Sequence, residues 1–272
     1  MRVYVGGATL VGPGIADRET GIAVLRGERD YAFGDYVPPS PAILSATERR
    51  RTSPSVRLAL HAATQAVQAV AADPATLRTV FGTSNGDGQV VHAILETLSG
   101  PERLVSPTQF HNSVHNAAAG YWCIGAGVRR PSVSIGCHDD TFAAALLQAA
   151  TQTVVEREPT LLCVFDMPMP PPLSLVRKTL HPLAVAIVLS PTPEWTGVEA
   201  ELTLRFASGP PNTPAEPRLA GLQPLYGGNP AGRALRLLEH LARSEEARLS
   251  LAILDDSRLD MHVMPTCSPE HA

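Results

Sequence analysis

SVSIGCHDDTF, residues 132–142, runs from a strand pattern through reactive side chains into a helical pattern. Val133 and Ile135 alternate with Ser132 and Ser134, the period of an extended chain with one apolar face. Cys137, His138, Asp139 and Asp140 then arrive together. The following run, TFAAALLQAATQTVVE (141–156), is nearly apolar, so it predicts a mostly buried helix, with Asp140 or Thr141 as its cap. A strand that ends in reactive groups at a helix N-terminus can present a nucleophile, and the helix end lowers a thiol pKa. Neighbouring side chains on an extended chain point to opposite faces, so His138 is poorly placed as a base for Cys137. The two aspartates also oppose a thiolate. Cys137 therefore has two readings, an activated nucleophile or a small buried cysteine.

Moving outward, VYVGGATLVG (3–12) predicts a first strand, and residues 13–50 read as irregular. Ser53 and Pro54 open a helix whose apolar positions are Val56, Leu60, Ala63, Val67 and Val70. RTVFGT (78–83) reads as a strand, SNGDG (84–88) as a turn, VVHAILETL (90–98) as a short helix and VSPTQFH (105–111) as extended or loop. From Asn112 a small-residue run reads as helix. Downstream, 160–166, 183–190 and 199–206 read as strands, MPMPPPL (167–173) as a loop and 207–230 as a long loop or linker. A helix at about 230–243 and a hairpin of 248–255 with 259–264 complete the chain. Near-continuous apolar strands alternating with helices predict an α/β layered fold with a buried central sheet.

The chain has 272 residues, 44% of them hydrophobic, enough for a sizeable core. Net charge is −4 and aromatics are 5%, a composition without the basic stripe or stacking platform of a nucleic-acid binder. ERRR (48–51) reads as a solvated turn. No apolar run approaches the roughly 20 residues of a membrane span. MRVYVGGATLVG reads as a strand and not as a signal peptide, which gives a cytoplasmic expectation. Cysteines 123, 137, 163 and 267 lack CxxC spacing, and three lie in segments that read as core, so reduced thiols are expected.

Other motifs are weaker. His111 and His115 stand i, i+4 in HNSVHN, and His138 or Asp139 would extend them to a zinc set. The HExxH glutamate is missing, and a polar pocket lining accounts for the same residues, so no metal and no cofactor is assigned. GTSNGDG (82–88) matches neither phosphate-binding glycine pattern and reads as a tight turn. GxSxG and DxD are absent. Asp139 and Asp140 are adjacent, which suits paired glycosidase carboxylates poorly.

Taken together, VSPTQFHNSVHNAAAGYWCIGAGVRRPSVSIGCHDDT resembles the centre of the β-ketoacyl synthases, which have the thiolase fold. The matching features are Ser106-Pro107, Asn116, Ala119-Gly120, Gly127 and the run from Pro131 to Ile135. FGTSNGDG, ERRRTSPSVRLALHAATQAV and LAVAIVLS resemble further family segments, so the likeness spans roughly 1–190. It implies a mixed central sheet between helices with the second half truncated, a ketosynthase-like half at 1–206, and a linker and short α/β remnant at 207–272. In the family the nucleophilic cysteine lies eight residues after that proline. Here Asp139 stands there, with Cys137 two residues early. The family's two downstream histidine motifs are missing, and His181, His240 and His262 sit in other contexts.

The resemblance thus implies a catalytically inactive chain-length factor, similar to the short forms of aryl polyene and xanthomonadin-type pathways. Its implied partner is an active β-ketoacyl synthase, in a heterodimer that acyl carrier protein visits. Pairing would run through the strand holding Ser134 and Ile135 and through the crossing segment Thr108 to Asn116. Gln109, Phe110, His111 and Ser113 would end the partner's acyl tunnel, and His115 and Asn116 would belong to the same tunnel and interface set. The alternative is an active acyltransferase or thiolase-like enzyme that uses Cys137 with His138 or His115.

Overall fold

Strand β4 (Thr160–Asp166) and strand β5 (Leu183–Ser190) are buried at every residue, which places them mid-sheet with cover on both faces. The computed structural model describes residues 1–213 and 215–266; Cys267 lies outside them. Around that centre stand β1 (Arg2–Val11), β2 (Arg78–Gly82), β3 (Ser132–Ile135), β6 (Val198–Ser208), β7 (Ala247–Ile253) and β8 (Ser257–Pro265). The eight-stranded order is β3-β2-β4-β5-β1-β6-β8-β7. Strands β3, β2 and β4 run parallel, while β5 is antiparallel to both β4 and β1. Strands β6, β8 and β7 continue the same sheet by antiparallel pairing, with β8 matched to β6 from Ala200 to Ser208.

Side-chain alternation sorts β4 into two cores. Leu161, Cys163 and Phe165 face one, Leu162 and Val164 the other. The first core is closed by α3 (Pro54–Ala69) and α6 (Ala117–Ala126). The second is closed by α1 (Arg18–Arg26), α7 (Thr141–Glu156) and α9 (Leu235–Arg243). The other α-helices among the described residues are α2 (Ala46–Arg51), α4 (Gly88–Ser99), α5 (Pro107–Asn112) and α8 (Gln223–Gly228). The layered architecture is the one the sequence predicts.

Several local expectations change. Helix α1 occupies part of the stretch read as irregular. Asp17 accepts from the Thr20 amide, Gly27 closes the helix at φ 77°, and two arginines fasten it to α9. Arg26 donates to Ala242 O at 2.7 Å and Arg243 to Leu25 O at 2.8 Å. ERRR ends a short exposed helix and not a turn, because Ser45 caps the Glu48 amide. Residues 107–112 coil into α5 from Pro107 at the first turn, where an extended run is expected. The helix read from Asn112 begins only at Ala117. The long loop after 207 contains α8. Of the cysteines read as core, Cys163 is fully buried, while Cys123 and Cys137 are half-buried.

His240 on α9 is 3% exposed, and burial, helped by Arg218 and Arg236, lowers its pKa to about 4. The unfolded ring takes a proton below about 6.5, so its contribution is complete above that pH and fades as pH falls through 4. The expected acid loss is about 3 kcal/mol. Urea unfolding from pH 7 to pH 4 checks it as the difference between the profiles of the unmodified chain and His240→Gln.

Candidate functional site

The parallel strands β2, β3 and β4 end side by side, and the polar residues of the chain collect beyond those ends. After Ile135 the backbone turns sharply. A side chain at Gly136 would meet Thr83 O at 2.9 Å and His115 Nε2 at 3.1 Å, so only glycine fits. His138 takes φ 49°, in the left-handed region uncommon outside glycine. Thr141, fully buried, fixes the turn: its hydroxyl accepts from the Cys137 amide at 2.9 Å and donates to His138 O at 2.7 Å. Neither Asp140 nor Thr141 makes the expected side-chain cap on α7, because the Thr141 hydroxyl is committed to this loop.

The reactive residues of this turn are set for different tasks. The Cys137 thiol is pushed up, first by burial and then by Asp140. Burial also raises the Asp140 carboxyl. The His138 ring is mostly exposed, with Nδ1 3.7 Å from Asp139 Oδ1. Asp139 is half-exposed and accepts from Arg177 Nη1 at 2.7 Å. Among the described residues, no hydrogen bond joins the Cys137 thiol to His138 or His115.

Arg177 leads to a buried polar hub. Its Nε donates to Asn85 Oδ1 at 2.8 Å and its Nη2 to Ser84 Oγ at 3.1 Å. Beneath them Asp166, fully buried at the end of β4, accepts from the Thr83 hydroxyl, the Ser84 amide and hydroxyl, and the Asn85 amide, at 2.8–3.1 Å. Burial pushes the Asp166 carboxyl up to about 6 against the downward pull of those donors. Asn85 Nδ2 donates to Thr179 Oγ1 at 2.7 Å. Asn229 donates to Asp166 O at 2.9 Å and to His181 O at 2.7 Å. SNGDG is therefore a turn organised around a carboxylate, without a phosphate cradle.

The remaining candidates lie beside the hub, on the α5–α6 face and on the edge strand β3. Thr108, Gln109, Phe110 and His111 lie on α5, with Phe110 strongly exposed. Ser113 Oγ donates to Phe110 O at 2.8 Å, and Asn116 precedes α6 without a side-chain cap bond. Ser134 and Ile135 lie on β3, the edge of the sheet. The His111 ring packs edge-on against Tyr121, while His115 Nε2 pairs with Thr83 O at 2.9 Å. With Asp139 on Arg177, the proposed zinc set does not converge: the helix breaks between the two histidines. Among the described residues no three His, Cys, Asp or Glu side chains form a metal-holding group.

This face is apolar. Helix α6 is hydrophobic nearly all round, yet its outer side shows Gly120, Ile124 and Gly127 to solvent. Ile124 shares a groove of about 440 Å³ with Glu48, Arg51, Pro107, Thr108 and His111. Leu104, Phe110, Val114 and Ile124 are all exposed large hydrophobics. The Pro131 and Ile135 carbonyls at the two ends of β3 accept from the Thr79 and Thr83 amides, and the alternation of this parallel ladder leaves the backbone groups of Ser132 and Ser134 aimed at the open edge. An apolar helix face beside an unpaired strand edge is the composition of a subunit contact.

Sequence reasoning missed Arg177, Asp166, Ser84, Asn85, Thr179 and Asn229. Asp166 left one signal, a single acid closing the apolar strand TLLCVFD. Arg177 follows a proline-rich stretch and left none.

The family model for the β-ketoacyl synthase N-terminal domain matches residues 26–221. The search of curated proteins found no match. Among solved structures, the chain is similar to one chain of the ketosynthase ApeO in complex with its chain length factor ApeC from Xenorhabdus doucetiae. Identity is 21%, coverage 96% of this chain and 99% of that one, and the TM-score 0.69. The ishigamide ketosynthase/chain length factor gives 15% identity, coverage of 98% and 99%, and a TM-score of 0.68. A β-ketoacyl synthase from Burkholderia phymatum STM815 gives 11% identity, coverage of 98% and 100%, and a TM-score of 0.70. At these identities the structures establish a shared fold, the thiolase-like layers described above. Among the described residues no helix is long and apolar enough to cross a membrane.

Proposed function

The chain belongs to the β-ketoacyl synthase family, and we propose that within it this chain is a non-catalytic chain-length factor. It pairs with an active β-ketoacyl synthase, which acyl carrier protein serves, and shapes that enzyme's acyl tunnel during elongation of polyene or fatty-acid-like chains. The observation that carries this reading is the 2.7 Å ion pair of Asp139 with Arg177, taken with the resemblance that sets Asp139 where the family has its nucleophile. A carboxylate held by a guanidinium is a poor acyl acceptor, and it gives no thioester. Cys137 beside it has a raised pKa, which lowers its thiolate fraction at neutral pH.

The apolar face supports the pairing half of the proposal. Strand β3 offers an edge to a partner sheet, and Phe110 on α5 stands outward. In the pair, Gln109 and Phe110 meet the end of the partner's acyl chain, and their bulk sets how many carbons it accommodates.

Reconstitution with the full-length ketosynthases of the source genome, acyl carrier protein and malonyl donor tests this. With Asp139→Ala at saturating concentration, elongation should stay within about twofold of the unmodified chain. Phe110→Ala should lengthen the products before it changes the rate. Acylation of Cys137 in the isolated chain, or loss of all elongation with Asp139→Ala at saturation, overturns the proposal.

A further inference from the structure

The segment from Leu173 to Leu180 is built inside out. Two of its polar members point inward: Arg177 is bonded to Asp139, Asn85 and Ser84, and buried Thr179 accepts from Asn85. Its large apolar members point to water, with Leu175 77%, Val176 86% and Leu180 61% exposed. This reverses the usual burial order of these residue types. Such an inversion needs anchors strong enough to hold apolar side chains in solvent, and the hub supplies them. Leu180 is also tied through its amide to Gly228 O at 2.7 Å.

Its position gives the inversion a use. Arg177 reaches Asp139, four residues beyond the end of β3, and His115 packs at Gly136 in the turn between them. The segment that carries the outward leucines and valine therefore lies at the C-terminal end of the open edge strand. The guanidinium is neutralised by Asp139, so Lys178 is the one cation in this segment left without a described partner. That suits an apolar protein surface better than an acidic carrier domain.

We infer that residues 173–180 form a second contact zone for the partner subunit, a ketosynthase-fold chain, and that Asp139 is the positioning residue that holds this zone in place through Arg177. The inference rests on the subunit reading above. It gives the carboxylate at the nucleophile position a task of its own, orienting a docking surface.

The test uses the full chain, with the purified full-length ketosynthases of its own genome as probes. Hydrogen exchange of 173–180 should slow on complex formation. Leu175→Ser with Val176→Ser, both at exposed positions, should weaken binding at least about tenfold. Asp139→Ala should speed exchange of 173–180 in the free chain and weaken binding about fivefold, and it should add little to the serine pair, because both act on one surface. If the complex forms with unchanged exchange at 173–180 and full affinity for the serine variant, this inference fails and the subunit reading stands. Self-association abolished by the serine pair assigns the zone to a second copy and overturns it. If no ketosynthase binds, the subunit reading fails and takes this inference with it.

Discussion

Asp166→Ala should destabilise the chain by about 3–5 kcal/mol, the largest loss expected from any single change in the hub. Four donors from Thr83, Ser84 and Asn85 converge on its two oxygens inside a fully buried site. Removing the acceptor leaves those donors without water or partner. The loop they hold also holds Arg177 and Thr179, so the damage should spread to 173–181. Asp166→Asn keeps the shape but sets an amide N–H₂ against a donor, for a loss of about 2 kcal/mol. The pH profile separates charge from shape. The folded carboxyl has a pKa of about 6 against 3.8 in the reference state. Its contribution is therefore greatest below 3.8 and falls as pH rises through 6, by about 3 kcal/mol. His240 acts in the opposite direction over much the same range. The unmodified chain should thus show a shallow profile between pH 4 and 6, and Asp166→Asn should uncover the steep acid loss due to His240. Urea unfolding at half-unit pH steps measures both. A steep profile already present in the unmodified chain would contradict this balance.

The second large effect is expected at the sheet edge. Ser134→Pro removes an N–H that β3 does not use toward β2 and places a pyrrolidine ring in the path of a partner strand. Binding to the partner ketosynthase should fall at least about a hundredfold, read by titration calorimetry. The monomer should unfold within about 1 kcal/mol of the unmodified chain. Undiminished binding would place the subunit contact elsewhere on the molecule.

How far the sequence reveals this depends on the range of the forces involved. The strands and α3 and α7 were legible because local apolar periodicity and a capping serine announce them. Helix α1 was hidden because its stability comes from α9, through arginine bonds that span more than 200 residues of sequence. The SVSIGCHDDT turn was legible as a strand running into a helix, and Asp139 as its odd member. Its partner Arg177 was not, since a guanidinium in a proline-rich stretch gives no periodic signal and meets Asp139 only when the sheet aligns β3 and β4. His111 and His115 show the converse: their spacing fits a helix, but the helix breaks at Ser113 and the rings go to different neighbours.

The two borders of the sheet have unlike fates. At one, β3 is short and open. At the other, β7 carries exposed Arg248, and Asn212 and Thr213 crowd beside it. A ribbon that can grow from both borders polymerises into fibres, while one that can grow from a single border halts once that border is used. Joining β3 to a partner strand would therefore give a closed pseudo-twofold pair with blunt outer ends. Stoichiometry would be fixed at one to one by geometry, with no separate device needed to stop further addition.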